Sequence, residues 1–360
     1  MDQTSLPIMP SRLNGNKSYS DTGCNWPFEV MFLHNGWITT CCPNWLDSHK
    51  YGTPHNRFTS TPMELWNNKS IVLLRRRILD DDYRACQKCP IYHKKTESKF
   101  DVPKFAFCRT GDFDKLPDDA AVEMKRGPSS LYIADSFVCN LSCWSCRAKA
   151  IMVDQNEREK DDLLWRVMRD FAPGLKNIDI LSAGELFASK RHIRFMQGFN
   201  WFDYPNIEIS LITNGILIKK GWDKISPAHN NIKYIWLSID AATKETYEQV
   251  RAPAKWDQLI DGIEFINSLR MDIFQMNFVI RADNVHEMAQ FAYDMLERGG
   301  KHIMFVQLQR SYMSEKAYKA QNVFDPNHPL RYKLIEQLKD PIFHDEKVTV
   351  HRYEKDFILP

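Results

Sequence analysis

From Ser130 onward, short apolar runs alternate with longer stretches whose apolar residues recur at helical spacing. The runs Leu131–Val138, Ile178–Leu181, Ile207–Thr213, Tyr234–Ile239, Asn277–Ile280 and Ile303–Leu308 read as buried strands. Lys160–Phe171, Lys244–Val250, Trp256–Leu269 and His286–Arg298 read as helices, the last closed by Gly299-Gly300. Strands interleaved with helices predict an α/β fold with a parallel sheet, open or curved toward a barrel. In such sheets the chemistry sits beyond the carboxyl ends of the strands.

Upstream the pattern differs. Phe28–Leu33 alternates weakly, Trp37–Thr40 is rich in strand formers, and Asn35-Gly36 between them signals a hairpin. Glu64–Leu79 places Leu65, Ile71, Leu74 and Ile78 on one helical face. The expected organisation is an arm over 1–22, a cysteine-rich unit over 23–92 and a charged connector over 93–128. The barrel follows over 129–310, and then an extension over 311–360 with one helix, Leu330–Leu338.

The chain has 360 residues, of which 43% are hydrophobic, enough for a substantial core. A formal net charge of +2 argues against a nucleic-acid partner. Arg75-Arg76-Arg77 reads as a solvated helix face. No stretch approaches the ~18 apolar residues of a membrane span. Met1–Asp21 is polar and lacks the apolar run of a secretory signal, so the expected compartment is the cytoplasm. There, the clustered cysteines among the nine read as metal ligands rather than as disulfides.

Three of them, Cys139, Cys143 and Cys146, fit C-x3-C-x2-C and lie just past the first barrel strand. Thiolates are the usual ligands of iron–sulfur clusters. Three near one another leave one iron of a 4Fe–4S cluster open, which is a catalytic feature. Spacing alone leaves a structural zinc site with a distant fourth ligand open.

At these residues the sequence resembles the radical S-adenosylmethionine (SAM) superfamily, and the likeness runs from about 130 to 310. Ser182-Ala183-Gly184-Glu185 resembles the family's Gly-Gly-Glu segment, which contacts the methionyl amino group. Thr213-Asn214-Gly215 matches the family's third-strand ending. Leu237–Thr243, followed by Thr246-Tyr247 and Arg251, resembles the fourth-strand segment, where Ser238 would reach the ribose or carboxylate and Asp240 stands nearby. Val279-Ile280 with Asn284 resembles the segment beside the adenine. Ser145 occupies the position that is often aromatic in the family, and Trp144 precedes it.

The implied fold is a partial (β/α)6 TIM-like barrel. The implied SAM-binding residues are Ala183, Gly184, Glu185, Thr213, Asn214, Ser238, Asp240, Arg251 and Asn284. The implied chemistry is one-electron cleavage of SAM to a 5′-deoxyadenosyl radical that abstracts a substrate hydrogen, fed by a donor such as flavodoxin or ferredoxin.

A second group precedes the barrel. Cys24, Cys41 and the pair Cys86-Gln-Lys-Cys89 offer four thiolates, which suit iron–sulfur or zinc equally. With Leu65-Trp66-Asn67 between them, they resemble the SPASM or twitch auxiliary-cluster domain, in its single-cluster form and placed ahead of the barrel rather than after it. That likeness implies a second 4Fe–4S cluster on Cys24, Cys41, Cys86 and Cys89. Cys41 fits the spacing and Cys42 misses it by one, and Cys108 reads as a small buried residue.

His286-Glu287 begins like H-E-x-x-H, but Gln290 ends that reading. The function expected is two-electron dehydrogenation of a small alcohol, sugar or aminocyclitol, with the second cluster as electron acceptor. Two alternatives stay open: a ribosomal-peptide maturase, and a zinc-stapled binding protein without activity.

Overall fold

In the computed structural model, the described residues are 24–34, 36–42, 46–54, 60–86, 89, 116–147, 149–153, 157–180, 183–310 and 313–351. The expected arm over 1–22, Asn35, Cys108, Leu181 and Ser182 lie outside them.

One sheet of ten strands organises the chain, in the order β10-β9-β8-β7-β6-β5-β4-β1-β2-β3. The strands are β1 Val30–His34, β2 Trp37–Thr39, β3 Thr53–Pro54, β4 Ser130–Ala134, β5 Asn177–Ile180, β6 Glu208–Thr213, β7 Ile232–Ser238, β8 Ile273–Ile280, β9 His302–Gln307 and β10 Val348–His351. Strands β4 to β9 run parallel in chain order, which is the succession of six expected from the sequence. The first barrel strand stops at Ala134, short of the Val138 expected. Its last residues are released into the loop that carries the cysteines.

The parallel sheet extends past those six on both sides. In the extension, Val348–His351 pairs parallel with β9, a strand that the polar tail sequence did not suggest. On the other side β1 pairs parallel with β4, Val30 opposite Ser130 and His34 opposite Ala134. The cysteine-rich segment therefore adds its hairpin to the barrel sheet. Val30-Met-Phe-Leu is buried on both faces, as a strand between two neighbours must be.

The sheet has two unlike faces. Leu131, Ile178, Leu211, Leu237, Phe278 and Phe305 share one core with helix residues such as Val167, Phe195, Leu259 and Phe291. The opposite face carries Tyr132, Asp179 and Ser210 in one row. Trp236, Gln275 and His302 form another. All six are buried. Parallel sheets are ordinarily apolar on both faces, so this polar face marks a place built for something other than packing.

The helix expected over Glu64–Leu79 is two helices, Pro62–Trp66 and Lys69–Leu79. Asn67 breaks it by using its side chain to grip the Met124 backbone, donating to the carbonyl at 2.8 Å and accepting from the N–H at 2.9 Å. Asn68 then caps the second helix through Ser70 N–H. The arginine run is also corrected. Arg75 is fully buried, lies 4.2 Å from the Trp66 ring and donates to the Pro27 carbonyl at 2.7 Å. Only Arg76 of the three is exposed.

Candidate functional site

The loop after β4 is held from three sides. Gly184 lies so close to it that an added Cβ would stand 1.9 Å from the Val138 carbonyl oxygen. The N–H of Glu185 donates to that same carbonyl at 2.7 Å. Cys139 bridges to Ile151, its N–H donating at 2.8 Å. Ser142 N–H donates to the Ala252 carbonyl at 2.9 Å. A tight turn then brings the N–H groups of Cys146 and Arg147 onto the Cys143 carbonyl at 2.8 and 3.0 Å. Cys139 and Cys143 are buried and Cys146 half-buried.

The residues expected to bind SAM converge around this loop. Glu185 is buried at the end of β5, and its carboxylate accepts from Thr213 Oγ1 at 2.8 Å, Asn214 N–H at 2.7 Å and Phe187 N–H at 3.2 Å. It therefore ties the end of β5 to the end of β6. Burial pushes this carboxyl above its usual range, against the pull of those donors. Asn214 in turn donates to Asn140 Oδ1, inside the cysteine loop, at 3.0 Å.

Asp240 sits just past β7 with a φ of +67°, a conformation that an L residue adopts under strain and that clusters at functional sites. Its carboxylate accepts from Val279 N–H at 2.8 Å and pairs with Arg251 at 2.8 Å. Arg251 reaches on to Cys143 Sγ at 4.0 Å. Burial alone would lower the guanidinium, but Asp240 and Cys143 hold it above its ordinary value. Asn284 is fully buried and bonds the carbonyls of Asp240 and Val279, both at 2.9 Å. Ser238 is half-buried at the end of β7, opposite Asn277. Ala183 presents its carbonyl to Arg147.

Two residues of the site were not read from the sequence. Arg281, immediately after β8, is buried and donates to Ser145 Oγ at 2.7 Å, with its guanidinium 5.6 Å from the Trp144 ring. Its place at a strand's carboxyl end was the signal that could have found it. Asp135, immediately after β4, is buried with Arg191 and with His192, whose Nε2 lies 3.2 Å away. Burial raises its carboxyl, but the Arg191 charge and the hydrogen bonds from His192 and Arg191 outweigh that and hold it well below the carboxylate range.

The four upstream cysteines also come together. Burial pushes the Cys41 thiol far above its usual value, and the neighbouring Cys24, Cys86 and Cys89 add to that. Burial and the neighbouring Cys89 push Cys86 up to about 12. Burial pushes Cys139, in the other group, up to about 11. Crowded thiols that resist ionising alone are what a cationic iron cluster would relieve, so both donor sets fit such a group. Among the described residues no three His, Cys, Asp or Glu are arranged to hold a single metal ion. A cluster takes one thiolate per iron, so its ligands need not meet at one point.

The two groups stand at opposite ends of the sheet. Thr39 is opposite Phe32, which brings Cys41 level with Val30 at the start of β1, and Cys24 precedes that strand. Cys139 follows the far end of β4, which lies parallel to β1. The strand between the two levels is about 13 Å long at ~3.3 Å per residue.

The Radical SAM superfamily model matches residues 134–294. A probable GTP 3′,8-cyclase of Saccharolobus islandicus is 23% identical over 234 residues, which are 64% of this chain and 70% of that protein. A GTP 3′,8-cyclase of Alkaliphilus metalliredigens is 24% identical over 177 residues, 47% of this chain and 54% of its own. Among solved structures, Streptococcus suis SuiB superposes with a TM-score of 0.45 at 17% identity, over 62% of this chain and 50% of SuiB.

Proposed function

Because residues 134–294 constitute a radical SAM domain, we propose that this enzyme dehydrogenates a small hydroxylated substrate by two electrons, using two iron–sulfur clusters. Cys139, Cys143 and Cys146 would hold the first cluster and Cys24, Cys41, Cys86 and Cys89 the second. When bound, the first cluster and SAM supply the one-electron cleavage whose 5′-deoxyadenosyl radical removes a substrate hydrogen atom.

The chain's own residues do the rest. Gly184, Glu185, Asp240, Arg251 and Asn284 lock the strand ends around the cysteine loop, so that the cofactor meets a site already formed. Arg251 offers a buried positive charge for the methionyl carboxylate. Substrate that has lost a hydrogen atom must still lose one electron and one proton to become a carbonyl compound. The electron would pass to the second cluster and the proton to solvent or a nearby base.

The observation that carries this reading is the gathering of Cys24, Cys86 and Cys89 about Cys41, a strand's length from the cysteine loop. Four thiolates leave no iron open to bind substrate, so such a cluster serves by exchanging electrons. The polar sheet face supports the substrate class. Ser210 Oγ and Gln275 Oε1 are buried there without a hydrogen-bond partner among the described residues, and hydroxyl groups would satisfy them. No helix among the described residues is long and apolar enough to cross a membrane. The enzyme would work in the cytoplasm, reduced by a donor such as flavodoxin or ferredoxin.

Anaerobic reconstitution tests the proposal. About eight irons per chain are expected, and about four would remove the second cluster. Cys86→Ala should keep SAM cleavage and lose turnover of alcohols and sugars, and wild-type turnover would refute the electron-acceptor role. A second reading, radical ring closure on a purine nucleotide, is favoured by the name of the curated relatives. Incubation with GTP in place of the alcohols separates the two.

A further inference from the structure

Arg147 follows the last cysteine of the loop, and its guanidinium has found no carboxylate among the contacts of the site. Nη1 donates to the Phe137 carbonyl at 2.6 Å. Nη2 donates to the Ala183 carbonyl and to Cys146 Sγ, the latter at 3.3 Å. Burial opposes its charge, and the sulfurs of Cys146, Cys139 and Cys143 favour it. One planar fork thus joins three things: the approach to the cysteine loop, the segment expected to meet the methionyl amino group, and a cluster ligand. The other two sulfurs receive different donors, Leu141 N–H on Cys139 at 3.4 Å and Arg251 on Cys143 at 4.0 Å.

We infer that Arg147 is a positioning residue that sets the reduction potential of the three-thiolate cluster and fixes the Ala183 segment for SAM. The inference rests on Cys139, Cys143 and Cys146 being the cluster ligands. Reduction adds one negative charge to the cluster. A positive charge and an N–H···S bond at a ligand sulfur stabilise that extra charge, so they raise the potential and ease electron entry from a weak donor. The two carbonyl bonds have a separate effect. They keep Ala183 at a fixed distance from the sulfur, and a lysine, which presents a single point charge, cannot span all three acceptors.

The two effects come apart in two variants, Arg147→Gln and Arg147→Lys, each reconstituted as the full chain. The potential is read by titrating with dithionite while following the electron paramagnetic resonance signal that SAM perturbs, which singles out the first cluster. SAM affinity is read from the same perturbation. R147Q should show a more negative potential and SAM binding about tenfold weaker, the scale found for groups that orient cluster or metal ligands. R147K should keep the wild-type potential and share the weaker SAM binding. Wild-type potential in R147Q overturns the electrostatic role, and wild-type SAM affinity in R147K overturns the positioning role. Should R147Q fail to load iron, R147K alone decides the positioning role. If the wild-type chain itself takes up no cluster, the ligand assignment fails and Arg147 is not at fault.

Discussion

Replacing Gly184 with alanine tests how far the site depends on backbone contact alone. The new methyl would stand 1.9 Å from the Val138 oxygen, with the Val138 and Phe137 carbonyl carbons at 2.7 and 2.8 Å. All three neighbours are backbone, so no side chain can swing aside. To reach even 3.0 Å, the shortest contact a Cβ makes, the loop must retreat by about 1 Å. Forced overpacking of this kind costs about 1 to 3 kcal/mol. The retreat also breaks the bond from Glu185 N–H to Val138, at roughly 1 kcal/mol. A total of about 2 to 4 kcal/mol should lower the melting temperature by several degrees in differential scanning calorimetry. The displaced segment carries Cys139, and a shift of about 1 Å near the reacting atoms is worth ~100-fold in rate. Formation of 5′-deoxyadenosine under reductant should therefore fall by about that factor. Gly174 is the control, since an added Cβ there meets nothing within 4 Å. A Gly184→Ala protein that melts and cleaves SAM like Gly174→Ala would refute the claim that this contact shapes the loop.

Other expectations follow from burial and charge. Asp135→Asn removes the nearer carboxylate from the buried Arg191 and leaves it Asp161 at 3.7 Å, and should cost about 3 kcal/mol in urea denaturation. Because the folded Asp135 is held below its unfolded value of ~3.9, its stabilisation is complete above that pH and is lost as pH falls below it. The wild type should therefore weaken in that acid window more steeply than Asp135→Asn, and parallel profiles would contradict the assignment. Arg75→Ala should destabilise the chain by about 2 to 3 kcal/mol, since it strips the buried Pro27 carbonyl of its donor and uncovers the Trp66 ring, while Arg76→Ala should stay within ~0.5 kcal/mol. Equal melting temperatures for these two variants would refute the correction made to this helix. Cys41→Ala should remove about four irons from the reconstituted protein and Cys42→Ala none. The reverse pattern would reassign the ligand.

The alternation of apolar runs with amphipathic helices already prescribed six parallel strands, because burial on both faces leaves strand residues little choice of type. The cysteine loop and the segments proposed to bind SAM could be picked out in the sequence because their spacing is local and each follows a strand. The sequence could not say that β1 joins β4, because pairing between Val30 and Ser130 is a contact across a hundred residues of chain. Nor could it show that Arg75 is buried while Arg76 is exposed, for the two look alike until a helix face is assigned a neighbour. Arg147 makes the same point at the site. As a residue beside a cysteine it was visible, but what it does depends on Phe137 and Ala183, which only the folded chain brings to one guanidinium. The proposed ligands were therefore picked out by their spacing along the chain. How those segments are held comes from contacts between distant parts of the chain, which exist only once the chain has folded.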